Sequence, residues 1–178
     1  MLLPDGVARR SPRSNGWWRV SARHVLNILM VRQPDSLVRI ASLLVRRRYV
    51  LESITQGLSE LSGFCRLTLV LKIERKALAQ LTRQLERLFP VIREVTEMNA
   101  ENGLERELLL LKVSAGESPL SSLAATLKGI HARVLESTST DAIVEICEDA
   151  EQTRSLAERL KSYSIKSISR SGVVALSR

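Results

Sequence analysis

The chain has 178 residues, a formal net charge of +8, 44% hydrophobic residues and 3% aromatic residues. This length suits one ordinary domain or two small ones, and the hydrophobic content excludes a disordered chain. Residues 1–23 contain five arginines and one aspartate, so half of the net charge lies there, and the remainder is too dispersed to predict a nucleic-acid-binding face.

The cysteines and the apolar runs bear on the cellular location. Cys65 and Cys147 form no CxxC motif, which is typical of a reducing compartment. No apolar run approaches the roughly 18–20 residues that span a bilayer, so no membrane contact is expected. Residues 1–22 lack an apolar segment of secretory length and are predicted to be a disordered extension. We therefore expect a cytoplasmic protein, or an organellar one if this extension is a transit peptide.

From residue 23 onward, short apolar runs alternate with amphipathic helical segments. The first run, "HVLNILMV", predicts a strand that ends before Pro34. Asp35 and Ser36 are residue types that cap helices, and apolar residues follow them at helical spacing. The predicted strands of this half cover 24–31, 49–57, 64–72 and 90–97, and the predicted helices run from Asp35 to the arginines at 46–48 and from about 74 to 88. This is the βαββαβ order of ferredoxin-like folds.

The same order recurs after a polar segment. Residues 98–106 contain a predicted turn at Asn102–Gly103 and are predicted to be a linker. Beyond it, strands are predicted at 106–115, 131–137, 141–147 and 164–176, and helices at 118–130 and 149–163. The sequence therefore predicts an α+β protein with two ferredoxin-like βαββαβ domains, at 23–97 and 107–178.

The sequence contains no convincing catalytic constellation. Its two histidines, His24 and His131, have no metal-ligand spacing with the cysteines. Neither a glycine-rich phosphate loop nor a GxSxG nucleophile elbow occurs. We expect no catalytic site, no metal site and no cofactor in this chain.

The first strand-to-helix turn, "RQPDS", is the position at which a ligand would be expected. Helix N-terminal amides point into the crevice at the end of a strand and suit a carboxylate. A plain helix start is equally consistent with these residues, so position alone leaves both interpretations open.

Residues 24–55, "HVLNILMVRQPDSLVRIASLLVRRRYVLESIT", resemble the ACT domain of the small, regulatory subunit of acetolactate synthase. Three more stretches, "FCRLTLVLK", "ERELLLLKV" and "RSGVVALSR", are similar to the same family at about the same places, so the resemblance covers 23–178. It implies a non-catalytic subunit that binds and activates the catalytic large subunit and transmits feedback by branched-chain amino acids, usually valine. It also implies homodimers through side-by-side ACT domains.

The catalytic partner in this family carries thiamine diphosphate, magnesium and FAD. It condenses two pyruvates, or pyruvate with 2-oxobutyrate, in valine, leucine and isoleucine biosynthesis. The resemblance places the effector site of this chain at eight residues: Arg32, Gln33, Pro34, Asp35, Ser36, Leu37, Tyr49 and Val50.

Three of these residues depart from the family pattern. Arg32 and Val50 stand where the family has asparagine, and Asp35 stands where it has glycine. Val50 lacks the amide that would hydrogen-bond an amino acid, and the Asp35 carboxylate would repel the carboxylate of the effector, although Arg32 could pair with it. We therefore expect valine sensing to be weakened.

Three other functions compete with this hypothesis. A free-standing ACT-type sensor of another enzyme or a transcription factor would keep the fold but not the match at "RSGVVALSR". An RNA-binding ferredoxin-like module would need aromatic residues on its central strands, where this chain offers only Phe64. An independent enzyme lacks its catalytic constellation.

Overall fold

The computed structural model describes residues 22–99 and 101–178, so the predicted extension at 1–22 lies outside the described residues except for Ala22. The N-terminal half contains the strands β1 (Ala22–Val31), β2 (Leu51–Leu58), β3 (Phe64–Ile73) and β4 (Ile92–Met98) and the helices α1 (Pro34–Arg46) and α2 (Arg75–Glu86). These strands form an antiparallel sheet of order β2-β3-β1-β4, here called the N-terminal sheet.

The C-terminal half contains the strands β5 (Gly103–Ser114), β6 (Ala132–Ser137), β7 (Asp141–Glu148) and β8 (Ser164–Ser177) and the helices α3 (Leu123–Thr126) and α4 (Ala150–Arg159). Its sheet, here called the C-terminal sheet, has the order β6-β7-β5-β8. Both halves thus repeat one βαββαβ plan, which confirms the predicted α+β fold. None of the helices in the described part of the chain is long and apolar enough to cross a membrane.

The core of the N-terminal half lies between its sheet and its two helices. α2 turns an apolar stripe toward the sheet, because Leu78, Leu81 and Leu85 are buried and Leu88 packs against the same cluster. Cys65 of β3 lies in this cluster, with Leu67, Leu69 and Leu71 of the same strand. β1 is buried at six consecutive residues, Val25–Met30, because both faces of the sheet are covered there.

The second face of the N-terminal sheet, here called its back face, is covered by the C-terminal half. Val25 and Val70 on this face pack with Val173 and Ala175 of β8. The start of β5 and the end of β8 pair as a two-stranded ribbon, with Gly103 opposite Ser177 and Glu107 opposite Val173. This ribbon lies on the back face and joins the two halves.

The linker predicted at 98–106 is too long. β4 ends at Met98 and β5 begins at Gly103, so only a tight turn separates the strands. The Asn99 side-chain oxygen accepts hydrogen bonds from the backbone N–H groups of Glu101 and Asn102. The last part of the predicted linker, from Gly103 onward, belongs to the ribbon, where Glu105 forms a two-pronged ion pair with Arg23 of β1 at 2.8 and 3.1 Å.

The helix predicted at 118–130 is also corrected. The structure has a single 3-10 turn at Leu120–Ser122, followed by α3 with only four residues. The Ser122 and Thr126 hydroxyl groups donate to backbone carbonyls and lie 2.7 and 3.0 Å from the Tyr163 hydroxyl. Side-chain bonds of this kind compete with regular helical structure. Asp149 caps α4, because its carboxylate accepts hydrogen bonds from the N–H groups of Glu151 and Gln152.

Candidate functional site

The predicted effector loop connects β1 to α1 at the end of the N-terminal sheet. The Arg32 N–H donates to the Gly63 carbonyl at 2.9 Å, so the β2–β3 turn already occupies one amide of this loop. The Gln33 N–H donates to Val31 O at 3.0 Å. Arg32, Gln33 and Pro34 are all exposed. The loop is therefore accessible, but two of its backbone amides are occupied by the protein itself.

Asp35 and Ser36 do not cap α1 as predicted. Gln33 is the N-cap residue, and Pro34 takes the first helical position, where its missing N–H costs nothing. The Asp35 carboxylate forms an exposed ion pair with Arg39, one turn later, at 2.8 Å. The buried Ser36 hydroxyl donates to Val31 O at 2.8 Å. Asp35 thus places a carboxylate in the first helical turn, and Ser36 ties the helix to β1.

Tyr49 and Val50 lie at the other end of the same sheet. Tyr49 packs against the core, whereas Val50 is 65% exposed and its carbonyl accepts from the N–H of Lys72. The 13 residues of α1 separate this segment from the loop at Arg32, a distance of about 20 Å at 1.5 Å per residue. Within one chain, the structure brings residues 32–37 together but does not bring Tyr49 and Val50 to them.

The β2–β3 turn beside the loop contains Glu60, a carboxyl group whose pKa is lowered by its neighbours. Glu60 pairs with Arg66 at 2.7 Å. Its own backbone amide, the Ser59 hydroxyl and the Arg66 guanidinium hold the pKa of this exposed carboxyl below its ordinary value. Glu60 is therefore ionised at neutral pH and adds a negative charge next to the loop.

Each histidine contacts a carboxylate at a strand end. His24 Nδ1 lies 3.1 Å from Glu97, and His131 Nδ1 lies 3.0 Å from Glu148. Glu97 also pairs with Arg75. Among the residues that the structure describes, no group of three or more histidine, cysteine, aspartate or glutamate side chains could hold a metal ion.

Sequence reasoning missed the polar contacts that join the two halves. The buried Asn27 side chain donates to Ala175 O at 2.6 Å. The Ser53 hydroxyl accepts from the N–H of Val173 at 3.4 Å, and the Thr55 hydroxyl donates to Ser171 O at 3.2 Å. The signal for Asn27 was its position inside the apolar run "HVLNILMV", since a buried amide side chain requires a partner.

Comparison with known proteins places these features in a family. Residues 106–178 match the family model described as the small subunit of acetolactate synthase. The acetolactate synthase small subunit of Mycobacterium leprae is 36% identical over 155 residues, which cover 87% of this chain and 91% of that protein. The small subunit of Bacillus subtilis is 31% identical, with 88% and 91% covered.

The fold has a solved counterpart. The crystal structure of an acetolactate synthase small subunit from Thermotoga maritima superposes with a TM-score of 0.77 at 27% identity. The match covers 88% of this chain and 98% of that one. Because both halves are included, their relative arrangement is similar in the two proteins.

Proposed function

The chain belongs to the acetolactate synthase small-subunit family, and from this membership we propose that it activates the catalytic large subunit and carries a weakened valine response. As a small subunit it is a regulatory, non-catalytic component of an enzyme of branched-chain amino acid biosynthesis. The observation that carries the proposal is the 36% identity to a named small subunit over nearly the whole length of both proteins. Thiamine diphosphate, magnesium and FAD would reside on the large subunit, and the complex would work in the cytoplasm.

The proposed effector site is completed by a second copy of this chain. β2 is an edge strand of the N-terminal sheet, and β1 and β2 run in the same direction. If the β2 edges of two chains paired antiparallel about a two-fold axis, Val50 of one chain would approach the far end of β2 in the other. That end lies beside the loop at Arg32. The separation of Val50 from this loop within one chain supports such a homodimer.

The weakened valine response follows from the three departures at the site. The Val50 side chain offers no hydrogen bond, and each missing bond to a charged ligand costs about 1.5–3 kcal/mol. Asp35 places a carboxylate near the helix terminus where the carboxylate of an amino acid would bind, and its pairing with Arg39 at 2.8 Å holds it there. Arg32 is exposed and is the group available to bind the carboxylate of an effector.

The activating role is tested by measuring acetolactate formation with the purified large subunit from the same source. We expect the rate to rise when this chain is added in stoichiometric amounts, and to fall little as valine is titrated. Absence of stimulation at every ratio would refute the role. Strong inhibition at micromolar valine would refute only the weakened response.

The cause of the weakened response is tested by restoring the family residues. We expect Asp35→Gly combined with Val50→Asn to lower the valine concentration for half-inhibition at least tenfold, because about 1.4 kcal/mol corresponds to a factor of ten. Val45→Asn is the matched control, since Val45 is 75% exposed on α1 and outside the proposed site. An unchanged valine response in the double variant would contradict this explanation.

A further inference from the structure

A cavity lies where the two halves of the molecule meet. Its volume is about 310 Å³, and its walls come from β1, β2, β5, α4 and β8. The charged side chains in these walls are of both signs and include Arg23, Glu52, Glu107 and Arg170. This space is here called the junction cavity. Its size lies at the lower end of the range found for small-molecule sites in proteins.

Glu107 of β5 brings an incompletely paired carboxylate to the junction cavity. Its side chain is only 9% exposed, and Arg170 is its ion-pair partner at 3.6 Å, which exceeds the length of an N–H···O hydrogen bond. Among the described residues, none donates a hydrogen bond to this carboxylate. Its cross-strand neighbour is Glu148, which is also buried, and like charges in such pairs repel. A positively charged donor in the cavity would therefore stabilise Glu107.

Other side chains of the junction cavity have donors without acceptors. Thr153 of α4 is 4% exposed, and its Oγ1 has no hydrogen-bond partner in the described part of the chain. Arg23 donates both terminal nitrogens to Glu105. Its buried Nε lies 3.8 Å from Glu52 and, within the same part of the chain, likewise lacks a hydrogen-bond partner. The cavity thus combines an acceptor that needs a cation with donors that need an acceptor.

A β-bulge in β8 shapes the wall that carries Arg170. Glu107 lies opposite Val173, and two residues further along β5, Leu109 lies opposite Arg170. β8 therefore has one more residue than β5 between these two pairs. The Ser171 hydroxyl fixes the bulge, because it accepts from a backbone N–H of β5 at 3.1 Å. Bulges of this kind re-aim side chains and are common beside functional sites.

The charges of the junction cavity suit a ligand that carries both a cation and an anion. An anion held by Arg170 alone would be repelled by Glu52 and Glu107, and a cation held by Glu107 alone would be repelled by Arg170. A small molecule with both groups can pair its ammonium with Glu107 and its carboxylate with Arg170. Ile54 and Val173 add apolar surface to the same walls, which an aliphatic side chain of the ligand can contact.

We propose that the junction cavity binds a small zwitterion, an α-amino acid with a small or apolar side chain, whose ammonium pairs with Glu107 and whose carboxylate pairs with Arg170. This site differs from the proposed effector loop, because Arg23 and Arg32 lie at opposite ends of β1, about 30 Å apart at about 3.3 Å per residue. The bound ligand contacts β2 of one half and β8 of the other, so it strengthens the junction between them. The large subunit is not required for this binding.

The first test measures binding to the unmodified full-length chain by isothermal titration calorimetry. The probes are glycine, L-alanine, L-serine, L-valine and L-leucine. We expect at least one of them to bind with a dissociation constant in the millimolar range or below. Analogues that lack one of the two charges, which for L-valine are isobutylamine and isovalerate, should bind at least tenfold more weakly. Absence of binding by all five amino acids, or equal binding of a singly charged analogue, would overturn the proposal.

The second test locates the bound amino acid in the wild-type chain by nuclear magnetic resonance. In amide spectra of the ¹⁵N-labelled protein, we expect the largest ligand-induced shifts at residues 52–54 and 170–173, which line the junction cavity. Shifts confined to residues 32–37 would place the ligand in the effector loop, and the assignment to the junction cavity would then be wrong.

The third test removes the two charges of the site one at a time. Glu107→Gln and Arg170→Gln should each weaken amino-acid binding at least tenfold. The matched controls are Glu145→Gln and Arg133→Gln, which change an ion pair of the same sheet outside the cavity, and both should stay within twofold of the wild type. Circular dichroism checks folding. If Glu107→Gln does not fold, Arg170→Gln decides, because Arg170 is half exposed, and wild-type affinity in that variant contradicts the proposal.

Acetolactate formation separates this proposal from the proposed function. A chain that stimulates the large subunit but binds no amino acid in the junction cavity overturns the new site and leaves the activating role intact. A chain that binds an amino acid there without stimulating the large subunit supports the site and refutes the activating role.

Discussion

At the scale of single residues, burial determines the chemistry of Cys65. The thiol lies in β3, is 1% exposed and donates to Met30 O at 3.7 Å. Burial raises its pKa above the ordinary value of 9.0, and the positive charge of Arg32 only partly opposes this shift. Cys65 is therefore protonated and unreactive at neutral pH, as its place on an apolar strand face predicts.

This raised pKa predicts a loss of stability in alkali. Below pH 9.0 the thiol is protonated in both states, so its stabilising contribution is fully present. As pH rises past 9.0, the unfolded chain releases the proton first, and the free energy of unfolding falls. The free energy of unfolding is measured by urea denaturation from pH 7.5 to 10. Its fall with rising pH should be smaller in Cys65→Val than in the wild type, whereas Cys147→Val should keep the wild-type fall. Equal slopes in all three proteins would contradict the prediction.

At the scale of elements, Gly172 is the residue that allows β8 to pass close to β2. Its φ is +78°, and a Cβ atom there would lie 2.6 Å from Thr55 Oγ1. Gly129 has a similar φ of +82° but open space around it. Gly172 therefore meets two constraints, a left-handed backbone and a close approach, whereas Gly129 meets only the first.

The two glycines predict different costs for alanine. Gly129→Ala should lower the free energy of unfolding by about 1–2 kcal/mol, because only backbone strain is added. Gly172→Ala should cost more, and adding Thr55→Ala should recover part of the excess, since that change removes the opposing oxygen. The double-mutant cycle is measured by urea denaturation. Strict additivity of the two changes would show that the contact with Thr55 is unimportant.

Most elements were predictable because their hydrophobic periods are clear. β3 alternates cleanly, α2 carries leucines at helical spacing, and the cap at Asp149 is a local signal. The extra length of β5 was not predictable, because Glu105 is inward and polar, and its partner Arg23 is 82 residues away in sequence. The shortness of α3 likewise depends on the Tyr163 hydroxyl, which lies beyond any local window.

The effector site was predictable only as a set of residues. Local sequence places Arg32 to Leu37 at a helix start, and the structure agrees on that neighbourhood. Local sequence cannot reveal that Val50 lies at the opposite end of the sheet, since that position follows from strand pairing. That these two groups of residues form one effector site stays a prediction, and it depends on a second copy of the chain.

At the scale of the whole molecule, Asn27 is a buried polar link between the halves. It donates to Ala175 O at 2.6 Å and accepts from Arg66 at 3.2 Å. Asn27→Ala should lower the free energy of unfolding by about 1–3 kcal/mol, because it leaves a buried carbonyl without its donor. Thr55→Ala, which removes an exposed bond to Ser171 O, should cost less. If urea denaturation shows equal losses of unfolding free energy in the two variants, the buried hydrogen bond of Asn27 contributes no more than the exposed one of Thr55.

The path of β8 has a consequence for synthesis of the chain on the ribosome. Val173 and Ala175, which cover Val25 and Val70, belong to the element that emerges after all the others. The N-terminal half therefore leaves the nascent chain with one apolar sheet face open, and this face closes only when the final strand arrives. During that interval the open face is a recognition surface for chaperones and a source of aggregation. A premature stop codon before residue 173 would make this exposure permanent.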